Sequence, residues 1–163
     1  MEAVAEKKTA SIHEGKYLTF VLGSEEYGIE IINVKEIIGI MDITTVPQTP
    51  DYMKGVINLR GKVIPIIDLR LKFTMQEEEH TKETCVIVVE VNSTHIGIIV
   101  DSVSEVQDIN GSEIENSPEL GQGVDTNFIL GMGKVKEKII ILLDIEKVLT
   151  SEDLDMAKEI AEE

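Results

Sequence analysis

The stretch Gly55-Val56-Ile57-Asn58-Leu59-Arg60-Gly61-Lys62-Val63-Ile64-Pro65-Ile66-Ile67-Asp68-Leu69 decides how the chain reads. Two runs rich in branched apolar residues flank a short polar centre, which is the pattern of two strands joined by a tight turn. Residues 52–59 and 63–69 are the expected strands, with Asn58 and Gly61 building the turn. Pro65 has no N–H for a ladder, so its strand is expected at a sheet edge or at a bulge.

The same hairpin recurs 76 residues later: 52–69 aligns with 128–145, placing Gly55 on Gly131, Lys62 on Lys138, Ile64 on Ile140 and Asp68 on Asp144. A second block recurs at an offset of 69, where 17–37 aligns with 86–106 and Gly28, Ile29, Val34 and Glu36 fall on Gly97, Ile98, Val103 and Glu105. The offsets differ by 7, so the loop 107–127 is longer than its counterpart by that number. Both blocks arrive in order, glycine on glycine, which marks an internal duplication.

Each copy reads as a strand, a turn, a second strand and a turn or short third strand at 33–37. A loop bearing Pro47 and Pro50 (Pro118 in the second copy) and the hairpin follow. Five short strands without a long helix predict a mainly all-β chain built as two small closed barrels. The expected division is an arm over 1–15, a first barrel over 16–73, an acidic linker over 74–82, a second barrel over 83–145 and a helical tail over 146–163. In that tail Leu154, Ala157 and Ile160 share a helix face, while Glu152 and Asp153 suit its positive N-terminal end. Barrels of about 65 residues are marginal alone, so a shared core is expected, with strand exchange open.

Composition bounds the function. The 163 residues carry a formal net charge of −16, which disfavours phosphate backbones and anionic membrane surfaces. Only three Tyr, three Phe and no Trp are present, too few for the stacking platforms of an oligonucleotide-binding barrel. The lone Cys85 reads as a buried small hydrophobe in a reducing cytosol. Residues 1–15 have no apolar core of a signal peptide, and no apolar run approaches the roughly 20 residues of a membrane span.

Catalytic signals are lacking. His13, His80 and His95 fall in the arm, the linker and a hairpin turn, show no metal-ligand spacing, and read as surface residues. No nucleophile elbow or phosphate-cradling loop is present, and Gly121-Gln122-Gly123 and Gly131-Met132-Gly133 read as turns. Asp68 and Asp144 recur at strand ends, where caps are expected. No catalytic residue, cofactor or metal site is therefore assigned. Arg60 stands out, because turn geometry explains Asn58 and Gly61 but not an arginine, a side chain suited to carboxylates at interfaces.

The run 55–61 followed by 63–70 closely resembles the signature of CheW-type chemotaxis coupling proteins. Residues 27–31 and 34–37 resemble the upstream stretch, and 97–103 and 128–131 resemble the second half. The resemblance implies two intertwined five-stranded SH3-like barrels and a non-enzymatic cytoplasmic scaffold recruited to membrane receptor arrays. The implied partners are the cytoplasmic tip of a methyl-accepting chemoreceptor and the regulatory domain of a CheA-type histidine kinase. The chain itself is expected to be a monomer when alone. By resemblance, Glu36 and Arg60 take part in coupling, and Val34 lines a groove for receptor helices. Val103 is its counterpart by internal symmetry, with core packing the simpler role. Asn58 and Leu59 belong to the signature turn, while Gly55 and Gly61 meet backbone needs.

Overall fold

The computed structural model describes residues 14–115 and 127–162. The expectations for residues 1–13, including His13, for Pro118 and for Gly121-Gln122-Gly123 lie outside the described residues. Eleven strands are present among those described: β1 (Gly15–Leu22), β2 (Glu25–Glu30), β3 (Val34–Gly39), β4 (Met53–Leu59), β5 (Lys62–Asp68), β6 (Cys85–Val91), β7 (Thr94–Val100), β8 (Ser102–Ile109), β9 (Ile114–Glu115), β10 (Ile129–Val135) and β11 (Lys138–Leu143). Three helices are short: α1 (Leu69–Lys72), α2 (Ile145–Val148) and α3 (Ser151–Glu162). The chain is thus mainly β, with the expected helical end.

The strands form two mixed sheets, ordered β8-β1-β2-β11-β10-β9 and β3-β6-β7-β5-β4. Each draws from both halves of the chain. In the first, β2 runs parallel to β11, with Gly28 against Leu142; in the second, β7 runs parallel to β5, with Gly97 against Ile66. The contacts divide into two units, 1–31 with 104–148 and 32–103 with 149–163. Hairpin β1–β2 of the first half is therefore housed with β8–β11 of the second, and hairpin β6–β7 with β3–β5.

The repeat-equivalent elements coincide. Shifted by 76, β4 and α1 fall on β10 and α2, and both β4 and β10 carry a register shift before Gly55 and Gly131. At both bulges the glycine is obligatory by space. A Cβ on Gly55 (φ 141°) would stand 2.0 Å from the Thr44 carbonyl oxygen, and one on Gly131 would stand 2.6 Å from that of Glu115.

One face of each sheet is aliphatic and closes on itself. In the second unit Ile57, Ile64, Ile66, Val86, Val88 and Ile99 form one cluster, which Ile38 of β3 and Leu59 of β4 join from opposite edges of the sheet. In the first unit Tyr17, Ile109, Val135, Ile140 and Leu142 do the same, and Ile109 and Val135 come from β8 and β10. Edge strands β3 and β4 share no ladder; a Thr44–Val56 bridge tethers β4 instead, so a continuously hydrogen-bonded barrel is not seen.

Pro65 departs from its expected place. Strand β5 lies inside its sheet, between β7 and β4. Val56, opposite Pro65, spends its N–H and C=O on Thr44, so Val56–Pro65 is a pair without ladder hydrogen bonds. The parallel ladder to β7 starts only at Ile66, so the missing N–H leaves no gap on either side. The tail helix α3 packs on β5 and β7, burying Leu154 and Ala157 as its 3.6-residue period requires.

Candidate functional site

The signature turn is a two-residue hairpin loop. Leu59 pairs with Lys62, leaving Arg60 (φ 54°) and Gly61 (φ 87°) in the left-handed region that tight hairpins require. Asn58 accepts the Gly61 N–H on its Oδ1 at 2.7 Å, which fixes the loop from below. Arg60 therefore projects outward, its side chain 70% exposed, and Nη2 donates to Oε1 of Glu36 at 2.5 Å. Glu36 stands on β3 just past a register shift. The structure thus brings together Glu36, Arg60, Asn58, Leu59 and Gly61. Val34, on β3 opposite Val89, and Val103, near the start of β8, are both half-buried. Gly55 serves the bulge beneath the hairpin.

Beside the Arg60–Glu36 pair lies a cleft of about 330 Å³. Leu59, Ile64 and Val88 form its apolar floor, and Lys35, Glu36, Arg60, Lys62 and His95 its rim. Sequence reasoning placed His95 in a turn as a plain surface residue. It is instead the second residue of β7, opposite Glu90, and three-quarters buried. The turn is Asn92-Ser93, both at positive φ, and this two-residue loop shifts His95 into the ladder. His95 Nε2 pairs with Glu90 Oε1 at 2.8 Å, Lys35 reaches Glu90 Oε2 at 3.5 Å, and Lys62 Nζ meets His95 Nδ1. If the ring is neutral, that contact makes Nδ1 the acceptor and Nε2–H the donor to Glu90.

A second cleft, of about 210 Å³, occupies the repeat-equivalent place in the other unit. Its Lys136, Glu105, Lys138, Val135 and Ile140 stand where Arg60, Glu36, Lys62, Leu59 and Ile64 stand in the first, with Ser104 for Lys35 and Glu26 for His95. No Glu105–Lys136 ion pair is formed among the described residues; Lys134 pairs with Glu115 instead. Lys136 (φ 50°) and Glu137 (φ 68°) form this hairpin loop without a glycine.

Other charged groups hold the scaffold. Asp68 and Asp144 are matched caps, as expected, accepting the amides of Arg70 (2.9 Å) and Glu146 (3.1 Å). Burial pushes the Asp68 carboxyl up, only partly opposed by the Leu71 and Arg70 amides. Arg70 grips Asp101 with two bonds, Nε at 2.7 Å and Nη2 at 2.5 Å. Asp153 is fully buried, a role the sequence did not reveal. It accepts from Tyr52 Oη (2.5 Å), Lys72 Nζ (2.5 Å) and the Thr150 amide (3.1 Å), and Lys72 also lies over the Tyr52 ring. Burial would raise its pKa, but the hydrogen bonds from Lys72, Tyr52 and Thr150 outweigh that and hold it below the usual range. Tyr52 is pushed up to about 12, by burial first and then by Asp153.

Among the described residues no group of three His, Cys, Asp or Glu could hold a metal ion, and no helix is long and apolar enough to cross a membrane. The half-buried Cys85 has its thiol pKa raised by burial, the opposite of an activated nucleophile.

Known proteins are similar along most of this length. The family model described as CheW-like domain matches residues 16–153. The chemotaxis protein CheW of Klebsiella aerogenes is 42% identical over 146 residues, covering 90% of this chain and 88% of that protein. That of Bacillus subtilis is 37% identical over 151 residues, covering 91% and 96%. The crystal structure of scaffolding protein TtCheW from Thermoanaerobacter tengcongensis superposes with a TM-score of 0.77 at 36% identity, covering 86% of this chain and 95% of that one. Two sheets assembled from a duplicated strand pattern, a signature hairpin and a match over nearly the whole described length lead to one assignment: the chain belongs to the CheW-like domain family.

Proposed function

We propose that the chain joins the cytoplasmic tip of a methyl-accepting chemoreceptor to the regulatory domain of a CheA-type histidine kinase, recruited in this way to membrane receptor arrays. It is a chemotaxis coupling adaptor and not an enzyme, as its membership of a family of scaffolding proteins requires. The observation that carries the finer reading is the signature hairpin, which holds Arg60 outward against Glu36 above an apolar-floored cleft. An arginine at a tight turn contributes nothing to the aliphatic core, so its placement serves recognition. The two residues form the centre of the coupling surface, with Asn58, Leu59, Gly55 and Gly61 as the frame that presents them. Val34 extends that surface along β3 towards the receptor, and Val103 is its repeat counterpart.

The test is reconstitution of receptor-controlled kinase activity from purified components. The intact chain is expected to confer receptor control on the kinase and to retain both partners in a pull-down. Binding to neither partner would overturn the reading.

A further inference from the structure

The two repeat-equivalent clefts differ in charge at the place that matters for a partner. In the cleft beside Arg60, both nearby carboxylates are engaged: Glu36 by Arg60, and Glu90 by His95 and Lys35. Lys62 touches only the His95 ring and has no carboxylate partner among the described residues. It is a cation on a rim above an apolar floor, in a chain of net charge −16. In the duplicate cleft the matching Lys138 shares its walls with two carboxylates, Glu26 in the place of His95 and Glu105, neither held in an ion pair among the described residues. One cleft therefore presents an uncompensated cation, while the other carries its own counter-charge.

We propose that Lys62, held against His95, is a specificity-determining residue of the coupling surface, and that its cleft takes a carboxylate side chain from an acidic helical stretch of the receptor tip. The inference rests on the coupling function proposed above and names the chemistry of its recognition. Charge complementarity selects the partner group, since a carboxylate with an apolar stem would pair with Lys62 and pack that stem on the partly buried Leu59. Continuity selects the receptor, because the cleft adjoins Glu36 on β3, two residues from Val34. His95 keeps the cleft selective by contributing no negative charge where the duplicate has Glu26.

The experiment is calorimetric binding of the full chain to a receptor-tip fragment and, separately, to the kinase regulatory domain, at low and high salt. Lys62→Glu is expected to weaken receptor binding about tenfold at low salt and to flatten its salt dependence. His95→Glu, which copies the duplicate cleft without touching Lys62, should give a smaller loss in the same direction. Lys138→Glu, in the cleft that already carries its own counter-charge, should remain within about twofold of the parent. Receptor binding unchanged in Lys62→Glu, or a loss confined to the kinase domain, overturns this inference while leaving the adaptor function intact. Failure of the unaltered chain to bind either partner overturns the coupling reading instead. Thermal melting of each variant separates unfolding from lost recognition, and a His95→Glu loss that shrinks at high salt comes from charge.

Discussion

Gly28 and Gly97 stand in the same environment twice over. A Cβ on Gly28 would meet Leu142, Ile140 and Tyr17 at 3.2, 3.4 and 3.5 Å, and one on Gly97 would meet Ile66, Ile64 and Val86 at 2.6, 3.8 and 2.6 Å. Those neighbours are repeat equivalents, residue for residue, at the offsets of 76 and 69. Each glycine thus lets a hairpin from one half lie flat against the strand of the other.

Alanine at these glycines should be costly in a defined order. Gly28→Ala needs only a small retreat of Leu142. Gly97→Ala forces Ile66 and Val86 aside and should cost about 1–3 kcal/mol. Gly55→Ala should cost most, because its obstacle is the Thr44 backbone at 2.0 Å and its φ of 141° is strained for any side chain. Denaturant melts monitored by circular dichroism rank the three.

The Asp153 lock should make stability pH-dependent. Its folded pKa lies below the unfolded value of about 3.9, so its contribution is complete above that pH and is lost as pH falls towards the folded value. Asp68 has the opposite sign: its raised pKa means that protonation on acidification favours the folded form. Asp153→Asn should destabilise the chain by roughly 2–4 kcal/mol at pH 7, since it leaves Lys72 buried without its counter-charge. It should also reduce the loss of stability as pH falls below the unfolded carboxylate value of about 3.9. Urea midpoints across this range, for parent and variant, check both statements.

The Arg60–Glu36 pair should matter to coupling far more than to folding. With Arg60 so exposed, the pair is expected to contribute less than about 1 kcal/mol. Arg60→Glu should leave the melting curve nearly unchanged while weakening receptor–kinase coupling. Adding Glu36→Arg restores the pair with reversed polarity and should recover part of the activity. Lys136→Glu, at the repeat-equivalent place, should be much milder. An unfolded Arg60→Glu protein, or unchanged coupling, would remove Arg60 from the site.

The second hairpin loop offers a stabilising change. Lys136 and Glu137 both hold positive φ, which costs L-residues and suits Asn-Gly. Replacing the pair by Asn-Gly should add about 1 kcal/mol of stability. An unchanged or lower denaturation midpoint would refute this.

Much of the fold was legible because period-2 patterning and repeated glycines are local signals. Strands β4 and β10, the matched aspartate caps and the tail helix fell within a residue or so of their expected places. Partner choice was not legible. A strand's own pattern says which face is buried but not which hairpin it will join, so the exchange of β1–β2 and β6–β7 remained open. Pro65 was read as an edge or bulge signal because the Thr44–Val56 bridge that frees its pair depends on Thr44, 21 residues back in sequence. Lys72 and Asp153 are 81 residues apart, and nothing local linked them. At the site, the signature drew attention to Arg60 and Glu36, which do meet. His95 was missed because the hairpin turn was read as including it, whereas the loop is only Asn92-Ser93, and Lys62 because an ordinary turn lysine acquires meaning only from what surrounds it.

Because each sheet takes a hairpin from either half, neither half of the chain holds a complete sheet. A polypeptide with the first half alone would have to borrow the missing hairpin from another molecule, and its folding would depend on concentration. Carrying both halves on one chain replaces that bimolecular step with a tethered one, at the effective concentration set by the short exposed segment between α1 and β6. That segment has discharged its task once the hairpins are exchanged: a chain nicked there should hold together as a complex of two fragments.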